Sequence, residues 1–150
     1  MWNDTAPTSS VFSIGTHGGT NGPTDAQIAY CFAEIPGYSK FGSYLGNGNA
    51  DGPFVYTGFK PAFLLTKQSS GAGEGWQMYD NKRLGYNVDN NSFYANQDYA
   101  EATVDYLDLC SNGFKVRSSN AVINGSGSTY IYMAFGQPII SNSGICATAR

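Results

Sequence analysis

Charge is what this sequence has least of. Of 150 residues only 13% are Asp, Glu, Lys or Arg, about half the share of roughly 25% usual in soluble domains. The eight basic residues are scattered and the net charge is -3, so the clustered Lys and Arg of a nucleic-acid footprint are missing. No apolar run is long enough for a membrane-spanning helix. Met1 to Pro7 carry neither the basic nor the apolar region of a secretory signal, so the expected setting is the cytoplasm or an assembling particle. Cysteines are three, Cys31, Cys110 and Cys146. An odd number at wide spacing argues against a disulfide framework and against a zinc site, which needs close Cys or His pairs. Cys31 and Cys110 lie in apolar runs and read as small core residues. The one histidine, His17, sits in a Gly- and Thr-rich loop, with no partner argued for catalysis. Phosphate loop, dinucleotide fingerprint, nucleophile elbow and zinc motif are all missing. The reading is therefore non-enzymatic, with no cofactor and no metal.

Aromatics and glycine are plentiful: 15% aromatic, with Tyr 11, Phe 9 and Gly 19. That mixture suits short strands and tight turns. The length is that of one domain with a sizeable core. Strands are expected at Tyr38 to Leu45, Phe54 to Phe59, Ala62 to Lys67, Trp76 to Asp80, Thr103 to Cys110, Phe114 to Arg117 and Thr129 to Phe135. In Trp76 to Asp80, alternation puts Trp76, Met78 and Asp80 on one face and Gln77 and Tyr79 on the other. Ser111-Asn112-Gly113 reads as a hairpin turn, and so does Asn124-Gly125-Ser126-Gly127 after Ala121-Val122-Ile123. Asn81 to Glu101 shows no clean period and reads as a long irregular loop of the kind that is often functional. About nine short strands with turn signals between them predict an all-β fold, an antiparallel β-sandwich or jelly roll.

The chain also echoes itself. Shifted by about 102 positions, Phe12 meets Phe114, Ile14 meets Val116, Tyr30 meets Tyr132 and Pro36 meets Pro138, which reads as the tail of one repeat followed by one complete repeat. Val11 to Gly15 then reads as a short strand. Thr24 to Ile35 is ambiguous: Thr24 with Gln27 makes a capping box, and Ile28, Cys31, Phe32 and Ile35 fit helical spacing. The counterpart near Tyr132 has no such box, so Ile28 to Glu34 is read as a strand. The divisions expected are an arm and partial repeat over 1–27, a β-sandwich domain over 28–138 and a polar tail over 139–150.

Few residues suggest chemistry. Asn47, Asn49 and Asp51 alternate as in calcium loops, but the closing Glu is missing and the same residues favour plain turns. Glu74, Asp89, Asp98, Glu101 and Asp105 are candidate carboxylates for glycoside cleavage, yet nothing singles out a pair. Asp80 with Lys82 and Arg83 reads as a salt-bridged corner. Tyr79, Tyr86, Tyr94 and Tyr99, with Asn87 beside them, form a candidate glycan surface, because Tyr combines an apolar face with a polar edge. The same composition also marks protein contacts.

Several longer strings carry a resemblance. They are Tyr30-Cys31-Phe32-Ala33-Glu34, Gly37-Tyr38-Ser39-Lys40-Phe41-Gly42-Ser43-Tyr44, Asp51-Gly52-Pro53-Phe54-Val55-Tyr56-Thr57-Gly58-Phe59, Tyr79-Asp80-Asn81-Lys82-Arg83 and Ser111-Asn112-Gly113-Phe114-Lys115-Val116. Together they resemble a domain found at the C-terminal end of tailed-phage virion proteins, many from marine phages. The likeness covers about residues 28 to 138. It implies a structural role on the virion, as a tail-fibre, appendage or capsid-surface component, and carries over no catalytic residues. The partners it implies are further copies of the chain (a trimer, by analogy with phage appendages) and other virion proteins; host surface glycan is the partner expected of the Tyr and Asn residues above.

Overall fold

The computed structural model describes residues 5–24, 26–70, 75–83, 87, 91–140 and 146–148. The chain divides into two units, one running to Phe32 and one from Ala33 onward. Among the described residues of the first unit the only regular element is a one-turn helix, α1 (Gly18–Asn21). His17 caps it: its Nδ1 accepts the Gly19 N–H at 3.1 Å. Val11 to Gly15 forms no strand, and neither does Ile28 to Glu34. Both have a strand's alternation, but alternation becomes a strand only where another strand satisfies its backbone. Cys31 is exposed, so it is not the core residue its apolar run suggested.

The second unit is an all-β sandwich. Its strands are β1 (Ser39–Leu45), β2 (Phe54–Tyr56), β3 (Pro61–Gln68), β4 (Gln77–Asp80), β5 (Asn91–Tyr94), β6 (Ala102–Thr103), β7 (Leu107–Cys110), β8 (Gly113–Val116) and β9 (Thr129–Gly136). One sheet has the order β1-β9-β3-β4-β5-β6 and the other β2-β8-β7. The pairings are antiparallel. The stretch expected as a polar tail over 139–150 contributes to a further two-stranded hairpin, β10 (Pro138–Ile140) with β11 (Cys146–Thr148). The expected turn at Ser111-Asn112 is present, closed by the Cys110–Gly113 pair. Three expectations fail here. Ala121 to Asn124 is a one-turn helix, α2, capped by Asn120, instead of a hairpin arm. The stretch read as irregular contains β5. Pro61, left outside the strand expected over Ala62 to Lys67, opens β3, where the register shifts between Pro61 and Phe63; an opening position is one where a missing N–H is tolerated.

The core lies between the sheets. Tyr44, Leu64, Tyr79, Tyr130, Tyr132 and Ala134 face Val55, Phe59, Leu107, Leu109, Phe114, Val116 and Ile123. Phe114 of the small sheet wedges between rings of the large one, at 5.8 Å from Tyr44 and 5.5 Å from Tyr132. Tyr44 stacks on Tyr130 at 5.1 Å. Complete burial of a side chain like Phe114 stabilises by about 1.5–3 kcal/mol. A buried phenol needs a partner for its hydroxyl, and these find theirs on α2. Tyr44 donates to the Ile123 carbonyl at 2.9 Å; Tyr130 donates to the Ala121 carbonyl and accepts the Gly125 N–H. The helix therefore exists because the core holds its open carbonyls. Gly113 is fixed by crowding: a Cβ there would lie 2.1 Å from the Val55 carbonyl oxygen.

Candidate functional site

The larger sheet has a second face, turned away from this core. Cross-strand register lines up Phe41 of β1 with Met133 of β9, Met133 with Leu65 of β3, Leu65 with Met78 of β4 and Met78 with Phe93 of β5. One apolar side chain from each of five neighbouring strands thus forms a continuous row, about 19 Å across at the usual strand spacing. A second rank adds Phe135 and Phe63, whose rings lie 6.3 Å apart, with Tyr38 and Phe41 each within 6 Å of the Phe135 ring. All of these side chains are half-buried. Charge is confined to the margins. At one end the Arg83 guanidinium lies 4.1 Å over the Phe93 ring and pairs with Asp80 at 2.7 Å and with Glu101. Glu101 also accepts from Asn91 at 2.6 Å. The expected corner at Asp80 and Arg83 is present, with Glu101 as an unforeseen third member.

The candidate glycan residues do not form one surface. Tyr79 is only 1% exposed and lies in the core; its hydroxyl donates to Gln77 Oε1, and burial pushes its pKa well above the usual range. Its position in a strand buried on one face removes it from any ligand. Asn87 is held by the sheet: Nδ2 donates to the Leu109 carbonyl at 2.9 Å and Oδ1 accepts the Leu109 N–H at 2.7 Å. Its amide imitates a paired strand residue, which suits a backbone at φ 58°. Tyr86 lies outside the described residues, as do Glu74 and Asp89. Tyr94 and Tyr99 remain together, edge to face at 5.6 Å. The Tyr94 hydroxyl accepts from Gln77 Nε2 at 3.1 Å, and Tyr99 is 63% exposed.

The Asn47, Asn49, Asp51 series folds as successive turns. Asn47 Oδ1 accepts the Asn49 N–H at 3.0 Å and Asn49 Oδ1 accepts the Asp51 N–H at 2.9 Å. Asp51 pairs with Lys115 at 2.6 Å, and that hydrogen-bonded ammonium holds its carboxyl below the ordinary carboxylate range. The residue that organises this loop was missed in the sequence. Asn124, completely buried, donates from Nδ2 to Asn47 Oδ1, the Asn49 carbonyl and the Ser118 carbonyl at 2.8–2.9 Å. Its Oδ1 accepts the Asn47 N–H at 2.8 Å. The only signal for it was an Asn followed by Gly, which reads as a turn. Among the described residues no group of three or more His, Cys, Asp or Glu is placed to hold a metal.

Residues 1–138 match a family model described as a domain of unknown function (DUF7483), and the chain belongs to that family. No curated protein and no solved structure matches it.

Proposed function

We propose that this member of the DUF7483 family is a non-enzymatic structural component of a phage virion, an appendage or capsid-surface protein that associates with copies of itself. The observation that carries the self-association is the apolar row Phe41, Met133, Leu65, Met78 and Phe93. An apolar sheet face that is only half-buried is a natural site for a second sheet, and a low-charge chain offers little repulsion between copies. The occupant is a second copy of this face, because antiparallel sheets carrying matched Phe and Met rows pack symmetrically. The virion setting rests on the sequence resemblance. Sedimentation equilibrium of the purified chain tests the first half. The wild type is expected to be oligomeric and Met133→Glu monomeric with its denaturation midpoint retained; a wild type that stays monomeric at high concentration refutes self-association. Immuno-electron microscopy of virions tests the second half. Label on fibres or capsid is expected, and particles without label refute it.

A second reading is recognition of host glycan, favoured by the exposed Tyr99 ring against Tyr94. Tyr99→Ala is expected to abolish adsorption to host cells at unchanged stability; unaltered adsorption refutes it.

A further inference from the structure

The first unit repeats a turn and a capped one-turn helix of the second, at the spacing of the sequence echo. In the second, Cys110 and Gly113 close a two-residue turn, β8 follows, and a one-turn helix capped by Asn120 ends at Asn124 before Gly125. In the first, Thr8 N–H donates to the Val11 carbonyl at 2.8 Å across Ser9 and Ser10. A segment without regular structure follows, and a one-turn helix capped by His17 ends at Asn21 before Gly22. The caps match in conformation: φ -69°, ψ 129° at His17 and φ -62°, ψ 130° at Asn120. Each cap side chain accepts the N–H two residues on. Both helices leave through a glycine at nearly equal angles. The loop before the helix is one residue shorter in the first copy, and the segment after it one residue longer, so the overall shift returns to that of the sequence echo.

What differs is cover. Phe114, Val116, Tyr130 and Ala134 are fully buried in the second unit. Their counterparts Phe12, Ile14, Ile28 and Phe32 are exposed, and so is Tyr30, the counterpart of Tyr132, at 81% against 8%. Ile28, Tyr30 and Phe32 alternate, so they share one face of an extended chain. The complete copy shows what belongs on that face. Tyr132 is flanked by Gly42 of β1 and Thr66 of β3, and Phe114 packs on Tyr44 of β1.

We propose that residues 8–32 are the closing part of a second β-sandwich of this same fold, and that their open face receives strands equivalent to β1 through β7. These strands belong to another copy of the fold. Tyr30 then pairs between strands equivalent to β1 and β3, and Phe12 enters that copy's core. This goes beyond the proposed virion role and does not depend on it.

The test is a tandem polypeptide in which residues 33–109 are joined ahead of Thr8 of the chain, compared with the chain alone by amide hydrogen exchange. In the tandem, the amides of Ile28, Tyr30 and Phe32 are expected to exchange at least about 100-fold more slowly than in the chain alone. Tyr30→Asp in the tandem is expected to restore fast exchange. Exchange at the rate of the chain alone, whether or not the added residues fold, overturns the proposal. Protection that survives Tyr30→Asp overturns it too, because the buried face is then a different one.

Discussion

Replacing Asn124 should cost far more than its position in a turn-like sequence suggests. Its side chain is completely buried, and its Nδ2 serves three oxygens while its Oδ1 takes the Asn47 N–H. Two hydrogens shared among three acceptors, with one further acceptance, amount to about three full hydrogen bonds. At about 1 kcal/mol net for each, Asn124→Ala loses about 3 kcal/mol. With a urea dependence of about 2 kcal/mol per molar, that lowers the denaturation midpoint by roughly 1.5 M. Asn124→Asp has the same shape but turns an acceptor toward three oxygens, so its loss should be larger, about 4 kcal/mol. Asn47→Ala, at an exposed position where water replaces the lost partners, should cost only about 1 kcal/mol. Urea titrations of the three variants decide the matter, with amide exchange at Gly48, whose N–H donates to the Asn124 carbonyl, reporting the loop. A loss below about 1 kcal/mol for Asn124→Ala would refute the argument that buried amide bonds hold this loop.

Three further outcomes are expected. Gly113→Ala places a Cβ 2.1 Å from the Val55 carbonyl oxygen, so β2 must shift from β8; the expected loss is about 1–3 kcal/mol, read from thermal unfolding. Burial raises the pKa of Tyr44, Tyr79 and Tyr132. The unfolded chain gives up these protons from about pH 10 while the folded chain keeps them, so their stabilisation is complete below that pH. It is lost above it at up to about 1.4 kcal/mol per pH unit for each deeply buried tyrosine, which urea midpoints measured from neutral to alkaline pH will show. Asn87→Ala removes both bonds to Leu109 and should cost about 1–2 kcal/mol, with faster amide exchange at Leu109 and no effect on adsorption to host cells.

The strands that the sequence announced are those with strict alternation over one buried face. Gln77–Asp80 and Thr129–Gly136 are examples, and the same alternation already set Tyr79 opposite the charged Asp80. It could have removed Tyr79 from the glycan surface. Val11 to Gly15 and Ile28 to Glu34 alternate without forming strands: the pattern records which face is apolar, whereas a strand also needs a neighbour. Val122 and Ile123 are only middling helix formers, and they join α2 because Asn120 caps its start and two buried phenols catch its carbonyls. Those partners are remote in sequence. The members of the outer row could each be read as apolar and outward. That Phe41, Met133, Leu65, Met78 and Phe93 stand in one line follows only from register.

The place of β9 in the sheet bears on how the chain can fold. β1 and β3 do not pair with each other; each pairs with β9, which is the last of the sandwich strands to be synthesised. Until Thr129 to Gly136 have left the ribosome, the two earlier strands can only wait with facing edges unsatisfied. Joining Tyr44 to Tyr130 closes a loop of about 86 residues, at an entropic cost of about 4 kcal/mol before any packing is gained. Such long-range pairing makes for slow folding. It also leaves a nascent chain whose open edges can capture the late strand of a neighbour, so crowding on one messenger favours mispaired copies.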